Sequence, residues 1–367
     1  MQATYPGADR RVCTLSGSER TRLLAHMCRE SFFIRTGNFR LLSTFACFGK
    51  REEFVMVKVV ALFVLGLVLI CLGGDRLVDS AVAIAKRLKI PEIVVGATIV
   101  SIGTTLPEVL VSTTAALQGN ADISAGNAFG SIICNTALIA GLTQLLAPSK
   151  KVTRSSITWR AAMFFAISMG LIAVGLFTGK FNRMTGIALL VTFCVYAVAN
   201  VKFPGGEDEG EKKEEKQGSL WVQLLTLAVC AVLLYFGANL LVDNGIILAG
   251  ALGVPERVIA VTFIALGTSL PELVTSLVSI IKGYGNVGLG NIVGANIMNL
   301  VLVMGIPAVI TGISLNPSTI RVDAVLGVVV MAVLTVPLMI KQRAYRLQGG
   351  ALLAIYAGYV VSSFMVK

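Results

Sequence analysis

Apolar residues along this chain come in long unbroken runs rather than in alternating pairs or narrow stripes. Runs lie near 57–74, 92–118, 123–147, 159–178, 184–201, 220–242, 256–281, 286–311, 322–340 and 349–365. Each is close to or beyond the roughly 18 residues that let a helix cross about 30 Å of hydrocarbon. They are too long and too weakly alternating to be barrel strands. Lipid offers the backbone no hydrogen-bond partner, so each run is expected to satisfy its own amides as a helix. The pattern predicts an all-α membrane protein with ten transmembrane helices.

Composition agrees with this reading. Hydrophobic residues fill 55% of the 367 positions and charged residues only 14%, where a soluble domain carries about 25% charged. The net charge of +11 does not point to nucleic acid, because the basic residues form no patch interleaved with aromatics. They fall in the short loops, and unequally. Sixteen Lys and Arg, from Arg76 to Arg346, follow the first, third, fifth, seventh and ninth runs, and six (Lys58, Lys180, Arg183, Arg257, Arg321, Lys367) lie on the opposite side. The positive-inside rule makes the first side cytoplasmic, which puts both ends of the mature chain outside the cell (inner) membrane. Cys71, Cys134, Cys194 and Cys230 sit singly inside apolar runs with no metal-type spacing, as small core residues do.

Residues 1–55 follow a different pattern. They hold nine of the 31 Lys and Arg, the single histidine (His26) and three cysteines, but no spanning run. They also lack the apolar core of a signal peptide. They read as a non-native or disordered extension, with Met56 as the favoured start; a genuine basic extension is the alternative.

Sliding the chain by 164 positions lays Gly73–Gly141 on Gly237–Gly305 without a gap, with 24 of 69 positions identical. GlyThrThrLeuProGlu at 103–108 meets GlyThrSerLeuProGlu at 267–272, and the GlyAsn-to-Asn block 126–135 meets 290–299. Five runs per copy is an odd number, so the second copy enters the membrane in the opposite direction. Inverted repeats of this kind build secondary transporters, with the site near mid-membrane where the repeats meet. The expected units are 57–201 and 220–367, joined by a charged cytoplasmic linker at 202–219 that reads as a solvated tether.

The chemistry concentrates on Glu108 and Glu272, which lie midway along the second and seventh runs. An ionised carboxylate there costs roughly 2.5–3.5 kcal/mol even on lenient insertion scales. Two in repeat-related positions are expected to meet across the pseudo-two-fold axis as a pair of charge −2. Thr104 and Thr268 precede them by one helical turn. Gly103, Pro107, Gly267 and Pro271 weaken the helix there, because proline leaves the carbonyl four residues earlier without a donor. Ser131, Asn135 and Asn299 stand on the following runs, and the spacing of Gly126, Gly130, Gly290 and Gly294 suits close helix contact. Carboxylates, hydroxyls and freed carbonyls are the hard oxygen ligands of calcium and sodium, not of zinc or copper. Asp79 and Asp243, near run ends, read as caps or loop ion pairs.

With its duplicated GlyThr-Thr/Ser-LeuProGlu signature, the chain over about 57–365 resembles the cation/calcium exchanger superfamily, most closely the prokaryotic sodium/calcium antiporters. The resemblance implies two inverted five-helix repeats with broken helices two, three, seven and eight. It also implies four adjacent ion sites formed by Thr104, Thr105, Glu108, Ser131 and Asn135 with Thr268, Ser269, Glu272, Asn299 and the carbonyl of Ala265. Some members carry Asp where this chain has Asn299 and Ser where it has Ala295, a loss expected to lower proton competition. The implied activity is exchange of calcium for sodium by alternating access, with calcium/proton antiport as the alternative. No cofactor is implied beyond the transported ions, and the lipid bilayer is the only other expected partner. A membrane enzyme fits less well, since no histidine follows His26; a channel would pass calcium without coupling.

Overall fold

In a computed structural model the described residues are 40–148, 152, 154–203, 219–252 and 267–365. The backbone divides into two compact units, Met1–Val57 and Lys58–Lys367. Of the first, only the start of a helix is described, and the remainder of the 1–55 extension lies outside the described residues. All further features belong to the second unit.

Among the described residues the fold is helical throughout, apart from one two-residue ladder. The helices are α1 (Arg40–Leu88), α2 (Glu92–Thr104), α3 (Leu106–Leu117), α4 (Ile123–Leu146), α5 (Arg154–Thr178), α6 (Arg183–Lys202), α7 (Leu220–Ala251), α8 (Leu270–Ile281), α9 (Gly285–Ile310), α10 (Thr319–Lys341) and α11 (Arg346–Met365). Seven are long and apolar enough to cross a membrane, and α2 with α3, bent by 42°, makes an eighth. The part of the seventh expected span before Gly267 lies outside the described residues, and α8 is its remaining piece. Helix α1 begins at Arg40, well before the expected 57, but its apolar portion begins at Met56.

Of the linker expected at 202–219, residues 204–218 lie outside the described residues, and Lys202 is the last residue of α6. The ladder is antiparallel, with β1 (Lys180–Phe181) pairing Lys180 with Ser314 and Phe181 with Ile313 of β2 (Ile313–Ser314). It ties the turn before α6 to the turn after α9. Asn182 then caps α6, its Oδ1 accepting from the Thr185 amide at 2.9 Å.

Helices α4 and α9 form the centre. In their most apolar stretches 72% and 83% of residues are buried, against 22% in α1 and α6, whose remaining surface is apolar and suited to lipid. Lipid tails are as apolar as leucine, so close packing has to hold helices together. At Gly294 a Cβ would sit 2.6 Å from the Ala97 Cα, and at Gly290 it would strike the Ile93 carbonyl. These two glycines thus let α9 approach α2 closely. Around Gly126 and Gly130 no described atom lies within 4 Å of a Cβ position. Gly66 and Gly237 allow α1 and α7 to cross closely, a Cβ at Gly66 meeting the Leu241 amide at 2.7 Å.

One expectation changes. Spans three and eight are not broken; they are underwound into wider π-turns at Cys134–Ala140 in α4 and Asn299–Val303 in α9. An inserted residue is absorbed by i→i+5 bonding, a device found most often at functional sites. Arg160 differs too. Counted with the loop cations, it is instead fully buried in α5, held by the Ser156 carbonyl and hydroxyl and by Asn200 Oδ1.

Candidate ion site

The break between α2 and α3 falls at Thr105, and Pro107 occupies the first turn of α3, where no amide donor is needed. Pro271 does the same in α8 after a turn at Thr268 and Ser269. Each glutamate therefore stands in the first turn of a helix, where unpaired amides favour negative charge. Gly103 and Gly267 both lie against α7, facing the Ala231 and Val242 side chains.

Glu108 and Glu272 are both completely buried and lie within range of each other's charge. The hydroxyls arrange themselves crosswise. Thr268 and Ser269 of the second repeat stand beside the Glu108 carboxylate, joined by Ser131 from its own repeat, and Thr104 and Thr105 of the first stand beside Glu272. Only one of these contacts closes as a hydrogen bond, Thr105 Oγ1 donating to Glu272 Oε1 at 3.4 Å. The π-turns begin at or just before Asn135 and Asn299, both fully buried. Of the residues expected from sequence, all but Ala265 are described; Ala265 lies in 253–266.

Buried polar atoms ordinarily have partners. Here Glu108 Oε1 and Oε2, Glu272 Oε2, Ser269 Oγ and both amide atoms of Asn135 and Asn299 have none among the described residues. Such a concentration of unmatched oxygens in one apolar interior is what a hard cation would satisfy. Among the described residues no three His, Cys, Asp or Glu cluster together, so the donor set is carboxylate, hydroxyl and amide.

Three further asparagines hold the site and were not singled out from sequence. Asn291 Oδ1 accepts from Thr104 Oγ1 at 3.1 Å. Asn127 Nδ2 donates to the Glu108 carbonyl at 3.2 Å and to Ser112 Oγ at 2.9 Å. Asn296 Nδ2 donates to Thr136 Oγ1 at 2.6 Å, tying α9 to α4 beside Asn135. Asn127 and Asn291 are repeat mates and stood in the aligned GlyAsn pairs, so the signal was present. Tyr196 of α6 donates to the Ala97 carbonyl at 2.7 Å and so anchors the first π-turn of α2, Gly96–Val100.

Comparison with known proteins places these features in context. The family model described as sodium/calcium exchanger protein matches residues 58–202 and 222–365. The inner membrane protein YrbG of Escherichia coli is 35% identical over 272 residues, covering 71% of this chain and 83% of that one. Sodium/calcium exchanger MaX1 of Methanosarcina acetivorans is 29% identical, covering 83% and 98%. The putative antiporter CaxA of Alkalimonas amylolytica is 34% identical, covering 82% and 97%. A solved structure of the sodium-calcium exchanger NCX_Mj superposes with a TM-score of 0.73 at 29% identity, covering 84% of this chain and 99% of that one.

Proposed function

Since this chain belongs to the sodium/calcium exchanger protein family, and is a multi-pass membrane transporter of cations rather than an enzyme, we propose that it exchanges calcium for sodium by alternating access through Glu108 and Glu272. The observation that carries this reading is the crosswise site. Two buried carboxylates stand within range of each other, each beside hydroxyls of the opposite repeat, with most of their oxygens unmatched.

The chemistry follows from charge balance. The −2 pair is neutralised by one calcium ion or by two sodium ions, and both loads draw on the same oxygens, so they exclude one another. An unneutralised pair is costly to carry through a dehydrated state, which couples the two fluxes instead of permitting a leak. Thr104, Thr105, Ser131, Asn135, Thr268, Ser269, Asn299 and the Ala265 carbonyl complete the oxygen cage.

The architecture that fits is ten spans in two inverted five-helix repeats, 57–201 and 220–367, joined by a cytoplasmic linker at 202–219. Both termini of the mature chain face out of the cell membrane. The crossing of α1 and α7 at Gly66 and Gly237, which are the first spans of the two repeats, supports that pairing.

Calcium uptake into proteoliposomes tests the coupling ion. Uptake driven by an opposed sodium gradient and unaffected by a proton uncoupler is expected. Uptake that collapses with the uncoupler and ignores sodium would replace the proposal with calcium/proton antiport.

A further inference from the structure

Among the described residues, both ion pairs converge on a single cation. Lys282 Nζ lies 2.6 Å from Asp75 Oδ1 and 2.7 Å from Asp79 Oδ1, and donates as well to the Asp75 carbonyl at 3.0 Å. Lys282 follows α8 in the second repeat, whereas both aspartates lie on α1 in the first. The contact therefore joins the repeats, at the end of the molecule where the loop cations gather.

The sequence repeat shows what stands at the opposite end. Shifting by 164 positions pairs Lys282 with Gln118, Asp75 with Asn239 and Asp79 with Asp243. Only one acid survives and the cation is gone. In a carrier of two inverted repeats, moving the opening to the other face exchanges the conformations of the repeats. Each contact between repeats at one end is then traded for its mate at the other. Here the trade exchanges a lysine held by two carboxylates for a glutamine, an asparagine and a single carboxylate.

We infer that Lys282, Asp75 and Asp79 form an ionic latch that closes the cytoplasmic end and biases the carrier toward the state open to the outside. This rests on the alternating-access reading above. The bias is modest, because both aspartates are half exposed, and ion pairs in contact with water contribute little each. A modest bias suits a carrier that has to cross between its two states in every cycle. Breaking the latch makes the cytoplasmic end open more often and leaves the ion site itself intact.

The test reads opening directly. Ser279 is fully buried one turn before Lys282. Ser279→Cys is introduced into the full chain in proteoliposomes, and its rate of modification by a membrane-impermeant thiol reagent from the cytoplasmic side is read by peptide mass. Lys282→Gln is expected to raise that rate several-fold, and the charge swap Asp79→Lys with Lys282→Glu to bring it back toward the original. Equal rates in all three, or a rise that the swap does not reverse, would overturn the latch. The labelling requires no transported ion, so absence of sodium-driven calcium flux would sink the functional proposal while leaving this result readable.

Discussion

Thr105 Oγ1 donates to Glu272 Oε1 at 3.4 Å across 167 positions of sequence. A hydroxyl of one repeat thus serves the carboxylate of the other, and Thr268 and Ser269 stand in the converse place beside Glu108. Neither half of the molecule holds a complete site. In the proposed architecture, duplication with inversion brings two carboxylates and their neighbouring hydroxyls into one interior.

Thr105→Val keeps the shape of the side chain and removes the donor. Hydrogen bonds to charged groups contribute about 1.5–3 kcal/mol, and the length of this one puts it near the lower figure. Since 1.4 kcal/mol is a factor of ten, the half-saturating calcium concentration is expected to rise about tenfold. The maximal rate should be largely retained, as checked by initial uptake rates over a calcium series.

Gly294→Ala forces a Cβ to within 2.6 Å of the Ala97 backbone, so α9 and α2 have to separate just above the site. Loss of thermal stability and of transport is expected. Gly170→Ala, with no described atom within 4 Å, is the matched control. It should be neutral or gain up to about 1 kcal/mol from the reduced freedom of the unfolded chain.

Pro337 lies inside α10 and leaves the Val333 carbonyl without its helical donor. Gln348 Nε2 supplies one, reaching Val333 O at 2.9 Å and Leu334 O at 2.7 Å. Gln348→Leu leaves the Val333 carbonyl unmatched in an apolar setting and is expected to cost about 1–3 kcal/mol. A lowered midpoint in detergent thermal unfolding, with transport kinetics unchanged in the surviving protein, would show it.

Tyr196→Phe removes the bond to the Ala97 carbonyl together with the hydroxyl's contacts with Arg160 and Asn200. Because Ala97, Ser101, Thr104 and Glu108 fall along one face of the α2–α3 segment, the slackened π-turn should reach the site. A few-fold rise in half-saturating calcium is expected, at unchanged expression and maximal rate. Identical kinetics would limit Tyr196 to packing.

Much of this was legible beforehand. Long apolar runs gave the helices, since lipid leaves the backbone no other choice, and the 164-residue shift gave both glutamates with their threonines. Asn299 and Asn135 are marked by the same shift, whereas the GlyAsn pairs repeated at Asn127 and Asn291 read equally well as packing. The π-turns were not legible, because an extra residue in one turn leaves no mark in an apolar run; the helices expected to break at 123–147 and 286–311 are instead continuous. Arg160 misled for a related reason. A cation near a run end looks like a loop charge, and only the tertiary contacts with Ser156 and Asn200 show it to be buried. Asp79 was expected to cap a helix or join a loop ion pair, and it joins one, with a lysine far away in sequence.

Sodium-driven calcium uptake into proteoliposomes, compared among the unaltered chain, Glu108→Gln and Glu272→Gln, tests the shared site most directly. Robust uptake by the first and none by either variant, with all three folded to equal thermal stability, is the expected result. Near-normal exchange with either glutamate neutralised would contradict a single site built jointly by the two repeats.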